Sequence, residues 1–275
     1  MTDRTWNAFT VDVADLVATV ALTGPGKGNA MGPDFWRECP ELFRMLDADE
    51  RVRAVVVRGA GKAFSYGLDL LAMAGDFATL LQPNAGPLER ARLTELIASM
   101  QGAPNAVAQC RKPVVGAVHG WCIGGGLDMI AAADIRVCST TARFSLREVK
   151  VGMVADVGSL QRLPHVIGES ATRELALTGR DIDATRALSL GLVSEVFSDD
   201  DSVFAGARAL ALQIAANPPL VVQGIKRVMN ARIDDEVARG LKAVAMHNAA
   251  FLGTEDLHEA VGAFIEKRAP VFTGR

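Results

Sequence analysis

Residues 112–139, KPVVGAVHGWCIGGGLDMIAAADIRVCS, decide the fold. Val114–Val118 is a short β-branched run of the kind that forms a strand with both faces covered. The triplet Gly124-Gly125-Gly126 then supplies a turn, and Leu127–Ala133 has the composition of a helix. Ile135–Cys138 is a second β-branched run. Strand, glycine turn, helix and strand in that order make a βαβ unit, and repetition of the unit predicts an α/β fold.

The same grammar extends outward. Upstream, Asp15–Leu22 reads as a strand closed by Gly24-Pro25-Gly26, Pro33–Asp47 has helical spacing behind a proline start, and Val52–Val57 is a Val-rich strand. Residues 74–90, with Pro83 and Pro87, interrupt the pattern. They predict either a mobile loop able to cover a ligand or a plain surface connection, followed by a helix from Leu88 to about Gln101. Downstream of Val196 the strands stop, and apolar-faced helices are expected over 203–216, 220–231, 234–252 and 256–267. This divides the chain into a catalytic core over 1–200 and a helical region over 201–275.

Composition narrows the function classes. The chain has 275 residues, 49% of them hydrophobic, enough for one large core. Its net charge of −3 gives no basic footprint for nucleic acid. The start, Met1 to Trp6, lacks a secretory signal, no apolar run is long enough to span a bilayer, and Thr273-Gly274-Arg275 is not a peroxisomal ending. A cytoplasmic protein without membrane or nucleic-acid partners is therefore expected. Cys39, Cys110, Cys122 and Cys138 are widely spaced and read as buried thiols, with neither a metal site nor a dinucleotide fingerprint among the motifs.

Chemistry concentrates between Arg111 and Gly168. Glycines let the backbone approach a ligand and present N–H groups, and Asp128 follows the triplet directly. Glu148 and Asp156 stand among apolar neighbours, where a carboxyl group has a raised pKa suited to proton transfer. A structural alternative exists for Asp156, because a helix is expected from Gly158 to Val166 and an aspartate before it is a natural cap. His119 reads as a satisfied structural histidine. Ala63-Phe64-Ser65-Tyr66-Gly67 lacks the first glycine of a serine-hydrolase elbow, and no spacing supplies a matching His and Asp. A binding protein without catalysis has no use for three acids in an apolar setting.

These motifs, together with Lys112-Pro113, Ala133-Asp134-Ile135-Arg136, Glu148-Val149-Lys150-Val151-Gly152 and Ala155-Asp156-Val157-Gly158, resemble the crotonase (enoyl-CoA hydratase/isomerase) superfamily. Asp128, Glu148 and Asp156 are most similar to the pattern of the Δ3,5-Δ2,4-dienoyl-CoA isomerases. The resemblance implies a spiral of ββα units with a C-terminal helical oligomerisation region, assembled as a homotrimer or a hexamer of two trimers. It implies an acyl-CoA thioester substrate, isomerisation of 3,5-dienoyl-CoA to 2,4-dienoyl-CoA in fatty-acid β-oxidation, and no metal or other cofactor. By position, the oxyanion hole falls on the N–H groups of Leu68 and Gly125. Coenzyme A contacts fall on Lys27, Asn29, Ala30 and Lys267, although a solvated terminal lysine is an equally good reading of Lys267.

Isomerisation must take a proton from C2 and deliver one to C6, which suits two carboxylates spaced along the acyl chain. The resemblance implies Glu148 and Asp156 as that pair, with Asp128 supporting them. Glu148 holds the position that serves C2 in related hydratases, which places Asp156 at C6; the reverse assignment fits equally. The competing function is enoyl-CoA hydration, a lyase reaction. The resembling hydratases hold water between two glutamates at the positions of Asp128 and Glu148, here twenty residues apart but with the shorter Asp first.

Overall fold

The structure, a computed structural model, describes residues 4–77, 80–82 and 84–275. Its strands are β1 (Phe9–Ala14), β2 (Val17–Leu22), β3 (Ala54–Gly59), β4 (Val114–Val118), β5 (Trp121–Ile123), β6 (Ile135–Ser139), β7 (Arg143–Ser145), β8 (Asp181–Asp183) and β9 (Glu195–Phe197). Its helices are α1 (Pro33–Ala48), α2 (Ala74–Phe77), α3 (Pro87–Gln109), α4 (Gly125–Ala131), α5 (Ser159–Thr178), α6 (Ala184–Leu190), α7 (Asp200–Ala215), α8 (Pro219–Ala231), α9 (Asp234–Phe251) and α10 (Glu255–Glu266). A single 3₁₀ turn spans Glu148–Val151.

Six strands form one sheet in the order β1-β2-β3-β4-β6-β9, parallel throughout except for the β1–β2 hairpin. Three more form a small sheet, β5-β7-β8, which the parallel bridge between Ser65 and Cys122 extends. Two successive turns of the chain lay one strand in the large sheet and the next in the small one before a helix returns it. β4-β5-α4 and β6-β7-α5 show the order, and the ββα spiral is the observed architecture.

The Val-rich runs are explained by burial on both faces. In β3, Ala54 and Val56 face α7 while Val55 and Val57 face the main core; in β4, Val115 and Ala117 face α7 and Val114 and Val118 the core. The period of two is the pleat itself. α7 meets the sheet through Val203, Ala207, Ala211 and Ala215, a stripe of mostly small residues at a spacing of four that lets the helix lie close. Enlarging one of these alanines would cost about 1–3 kcal/mol in overpacking.

Several boundaries differ from expectation. Asp15–Leu22 is not one strand: Asp15 and Leu16 are the turn of a hairpin, both with positive φ, and β1 precedes it. Residues 74–90 are not wholly a loop, since α2 occupies Ala74–Phe77 and α3 begins at Pro87. Residues 78, 79 and 83 of that segment lie outside the described residues. α3 runs past Gln101 through Pro104 to Gln109, and α5 runs past Val166 to Thr178 with a kink at Gly168.

The C-terminal helices are not uniformly free for partners. α7 lies on the chain's own sheet, and α9 packs on α3 through a cluster containing Leu93, Ile97, Ala245, Ala249 and Leu252. α8 differs: only Lys226 is buried, and Leu220, Val221, Ile225, Val228 and Met229 are exposed.

Candidate active site

The spiral brings three distant segments together. Gly67 adopts φ +80°, and a Cβ there would lie 2.7 Å from the Ile123 carbonyl oxygen and 3.3 Å from the Gly125 nitrogen. The backbone at 67–68 therefore runs against 123–125, an approach that only glycine permits. Two backbone hydrogen bonds fix this register: Ser65 N donates to Trp121 O and Ile123 N donates to Ser65 O, each at 3.0 Å. Among the described residues, the N–H groups of Leu68 and Gly125 donate to no protein acceptor. Gly125 owes this to its place as the first residue of α4, where helical N–H groups have no internal partner.

Residues 28–31 are laced onto the same strip. Tyr66 N donates to Gly28 O, Ser65 Oγ to Asn29 O, and Met31 N to Gly67 O at 2.7 Å. The Asn29 side chain is committed inward: its Nδ2 donates to the carbonyls of Ala60, Ala63 and Phe64. Any contact Asn29 makes outside must use its backbone. Lys27 is exposed, and Lys267 is exposed beyond the end of α10, with φ +56°.

The three acids sit behind this strip. Asp128, on α4, is fully buried, and one of its oxygens accepts a hydrogen bond from Ser159 N at the start of α5 while Oδ2 has no partner. Burial, with the Asp156 charge adding to it, pushes Asp128 up to about 7 against the opposing Ser159 hydrogen bond and the nearby Arg162 guanidinium. Glu148, on the 3₁₀ turn, packs its carboxyl group against Gly124, where a Cβ would lie 3.1 Å from Oε1; its buried Oε2 has no partner. Burial, then the Asp128 and Asp156 charges, push Glu148 up to about 8. Asp156 is raised only to about 6 by burial, because Asn248 Nδ2 donates to its Oδ2 at 2.7 Å.

Asp156 is not a helix cap. The residue before α5 is Gly158, and the acid bonded at that helix start is Asp128. The sequence reading also missed Asn248 and Gln101. Gln101 Nε2 donates to Asp156 O at 2.7 Å and to Leu241 O at 3.0 Å, tying the loop to α3 and α9. Neither residue carries a local signal, as each lies dozens of positions from its partner in a helix of ordinary composition. His119 is buried with its Nε2 bonded to Gly61 O at 2.9 Å, but its Nδ1 has no partner, so the expected satisfied histidine is only half satisfied; all four cysteines are buried and free.

The arrangement offers two unpaired N–H groups beside a carboxyl cluster that holds protons near neutrality. Such a site can stabilise an oxyanion while moving protons on and off a neighbouring carbon chain.

Comparison with known proteins agrees with that chemistry. Residues 12–275 match the family model described as enoyl-CoA hydratase/isomerase. The chain is 40% identical over 275 residues to the mitochondrial Δ(3,5)-Δ(2,4)-dienoyl-CoA isomerase of Dictyostelium discoideum, covering 99% of this chain and 92% of that protein. It is 42% identical over 251 residues to the peroxisomal enzyme of the same name from Arabidopsis thaliana, covering 91% and 90%. A crystal structure of an enoyl-CoA hydratase/isomerase from Pseudoalteromonas atlantica T6c superposes with a TM-score of 0.83 at 30% identity, covering 97% of this chain and 100% of that one. The cytoplasmic location expected from the sequence is overturned by these relatives, which are organellar enzymes. Fold, spared N–H groups and matched relatives converge: the chain belongs to the enoyl-CoA hydratase/isomerase family.

Proposed function

We propose that the protein isomerises 3,5-dienoyl-CoA to 2,4-dienoyl-CoA in fatty-acid β-oxidation. The observation that carries this reading is the third acid. Asp156 is held by Asn248 beside the two carboxyl positions that hydration employs, and relatives with 40% and 42% identity are named for this isomerisation.

Asp156 and Glu148 form the proton-transfer pair. The acid that acts first must be ionised, and the environment favours Asp156: it receives a hydrogen bond, whereas Glu148 has an orphaned oxygen and keeps its proton. Asp156 therefore takes the proton from C2, reversing the placement suggested by analogy with hydratases. The C2–H electron pair moves into the conjugated system, and the negative charge on the thioester oxygen meets the N–H groups of Leu68 and Gly125. Glu148 delivers its proton to C6, leaving double bonds at C2 and C4. Proton exchange after product release resets the pair. Asp128, fixed at α5, supports both by its proximity. Coenzyme A, part of the substrate, meets Lys27, the backbone of Asn29 and Ala30, and Lys267. The chemistry calls for no metal or redox cofactor, so activity should survive chelation; loss restored by one metal would refute this.

The test is hydrogen exchange in deuterated water. Glu148→Gln should exchange the C2 protons of 3,5-dienoyl-CoA without forming product, while Asp156→Asn should lose C2 exchange. The opposite pattern would return Glu148 to C2.

The exposed apolar face of α8 supports assembly into a homotrimer, singly or stacked as a hexamer, with 201–275 as the assembling region of a 1–200 core. A monomer by light scattering at micromolar concentration would sink this reading.

A further inference from the structure

We propose that Asn248 is the positioning residue that keeps Asp156 an ionised base, acting as a donor whose orientation the fold does not allow to reverse. The inference rests on the reading of Asp156 given above. Asn248 lies on α9, is only 2% exposed, and spends both amide hydrogens: one on Asp156 Oδ2 at 2.7 Å, the other on Val154 O at 2.8 Å. A carbonyl can only accept, so Val154 O fixes which end of the amide is nitrogen. Asn248 therefore always donates to Asp156 and never accepts from it. A group so fixed favours the carboxylate over the carboxylic acid.

The backbone N–H of Asp156 also favours the ionised form, but among the described residues no second side chain joins Asn248 in doing so. Asp128, on α4, and Glu148, on the 3₁₀ turn, each hold their protons more firmly because of the Asp156 charge. From α5, Arg162 acts on Asp128 and donates its Nη2 hydrogen bond to Asn105, not to Asp156. From α3, Gln101 binds the Asp156 backbone carbonyl and leaves the carboxyl group alone. On α9, His247 is exposed and stacks on Phe251. Among the described residues, Asn248 is the only side chain with a hydrogen bond to the Asp156 carboxylate.

The experiment compares pH profiles of kcat/KM for native protein, Asn248→Leu and the isosteric Asn248→Asp. A hydrogen bond to a charged group corresponds to about one to two pH units, so the acid limb of Asn248→Leu should move up by about that much. KM should change little, and kcat at alkaline pH should approach the native value. Asn248→Asp, which substitutes a second carboxyl group for the donor, should move the limb at least as far and covers the case in which the leucine variant does not fold. A purely structural asparagine would lower thermal stability and leave the limb in place, which would overturn the inference. Asp156→Asn separates the two claims. Should it turn over at the native rate, the base assignment and this inference fall together. Should it be inactive while both Asn248 variants keep the native limb, only this inference falls.

Discussion

Two buried polar clusters in this molecule are built to opposite specifications. Around Lys226, every charge finds a partner: its Nζ donates to Asp134 Oδ2 at 2.7 Å and to the carbonyls of Val107 and Lys112, while the same aspartate oxygen accepts Val114 N. Lys112 is treated likewise, bonded to Asp49 O and Val52 O. Around Asp128, three acids share a pocket, and Asp128 and Glu148 each keep a buried oxygen with no partner. A satisfied cluster locks α8 to β4 and has no proton to spare. An unsatisfied one is costly to fold but holds its protons near neutrality, where they can be moved.

The largest effect that could break this contrast is chemical. Asp156→Asn preserves size and hydrogen bonding while removing the base, so kcat should fall about 10²–10⁴-fold with the melting temperature little changed. Gly67→Ala attacks the oxyanion strip instead. A side chain at φ +80°, 2.7 Å from the Ile123 oxygen, must push Leu68 away from Gly125. Steady-state kinetics should show a loss of about 10²–10³-fold in kcat, the scale of one oxyanion donor.

Lys226→Met tests the other cluster. It leaves Asp134 without its cation, and breaking a buried pair costs about 3–5 kcal/mol, so calorimetry should show a melting temperature lower by roughly 6–20 °C. The kcat of the surviving folded protein should stay near native, since Lys226 touches none of the three acids.

The smallest expected effect is on stability at the unsatisfied cluster. Glu148 has a folded pKa raised to about 8 from the ordinary 4.5, so the stability linked to its protonation is present below the ordinary value and lost as pH rises towards 8. Glu148→Gln removes that loss. The variant should melt close to native at pH 4 and a few degrees above it at pH 8–9, each kcal/mol being worth about 2–4 °C. The native glutamate gives up stability for function, so the variant gains stability as it loses activity. An equal difference at both pH values would mean that Glu148 is not held protonated.

Much of this was legible in the chain. β4 fell on the expected residues because Val114–Val118 is buried on both faces and admits only one kind of residue. β1 escaped because FTVDVA at the sheet edge alternates buried and exposed positions and carries an aspartate. α3 was expected to stop near Gln101; the helix continues through Gly102 and Pro104 because its partners α1 and α9 hold it where local propensity is weak. The three acids stood out, as a carboxylate between Ala155 and Val157 is chemically conspicuous. Asn248 did not, being ninety-two residues from Asp156 and unremarkable in its own helix. Residues that carry charge into an apolar run announce themselves; residues that position them are found only when the spiral closes.

On the proposed mechanism, a third acid, held ionised, makes this pocket an isomerase. Purified protein offered 3,5-dienoyl-CoA and 2-enoyl-CoA in parallel tests it most directly, with conjugated 2,4-dienoyl-CoA and 3-hydroxyacyl-CoA quantified as the two products. The kcat/KM for isomerisation should exceed that for hydration by orders of magnitude, with no water incorporated into the dienoyl product. Efficient hydration of 2-enoyl-CoA, with 3,5-dienoyl-CoA left unchanged, would contradict it.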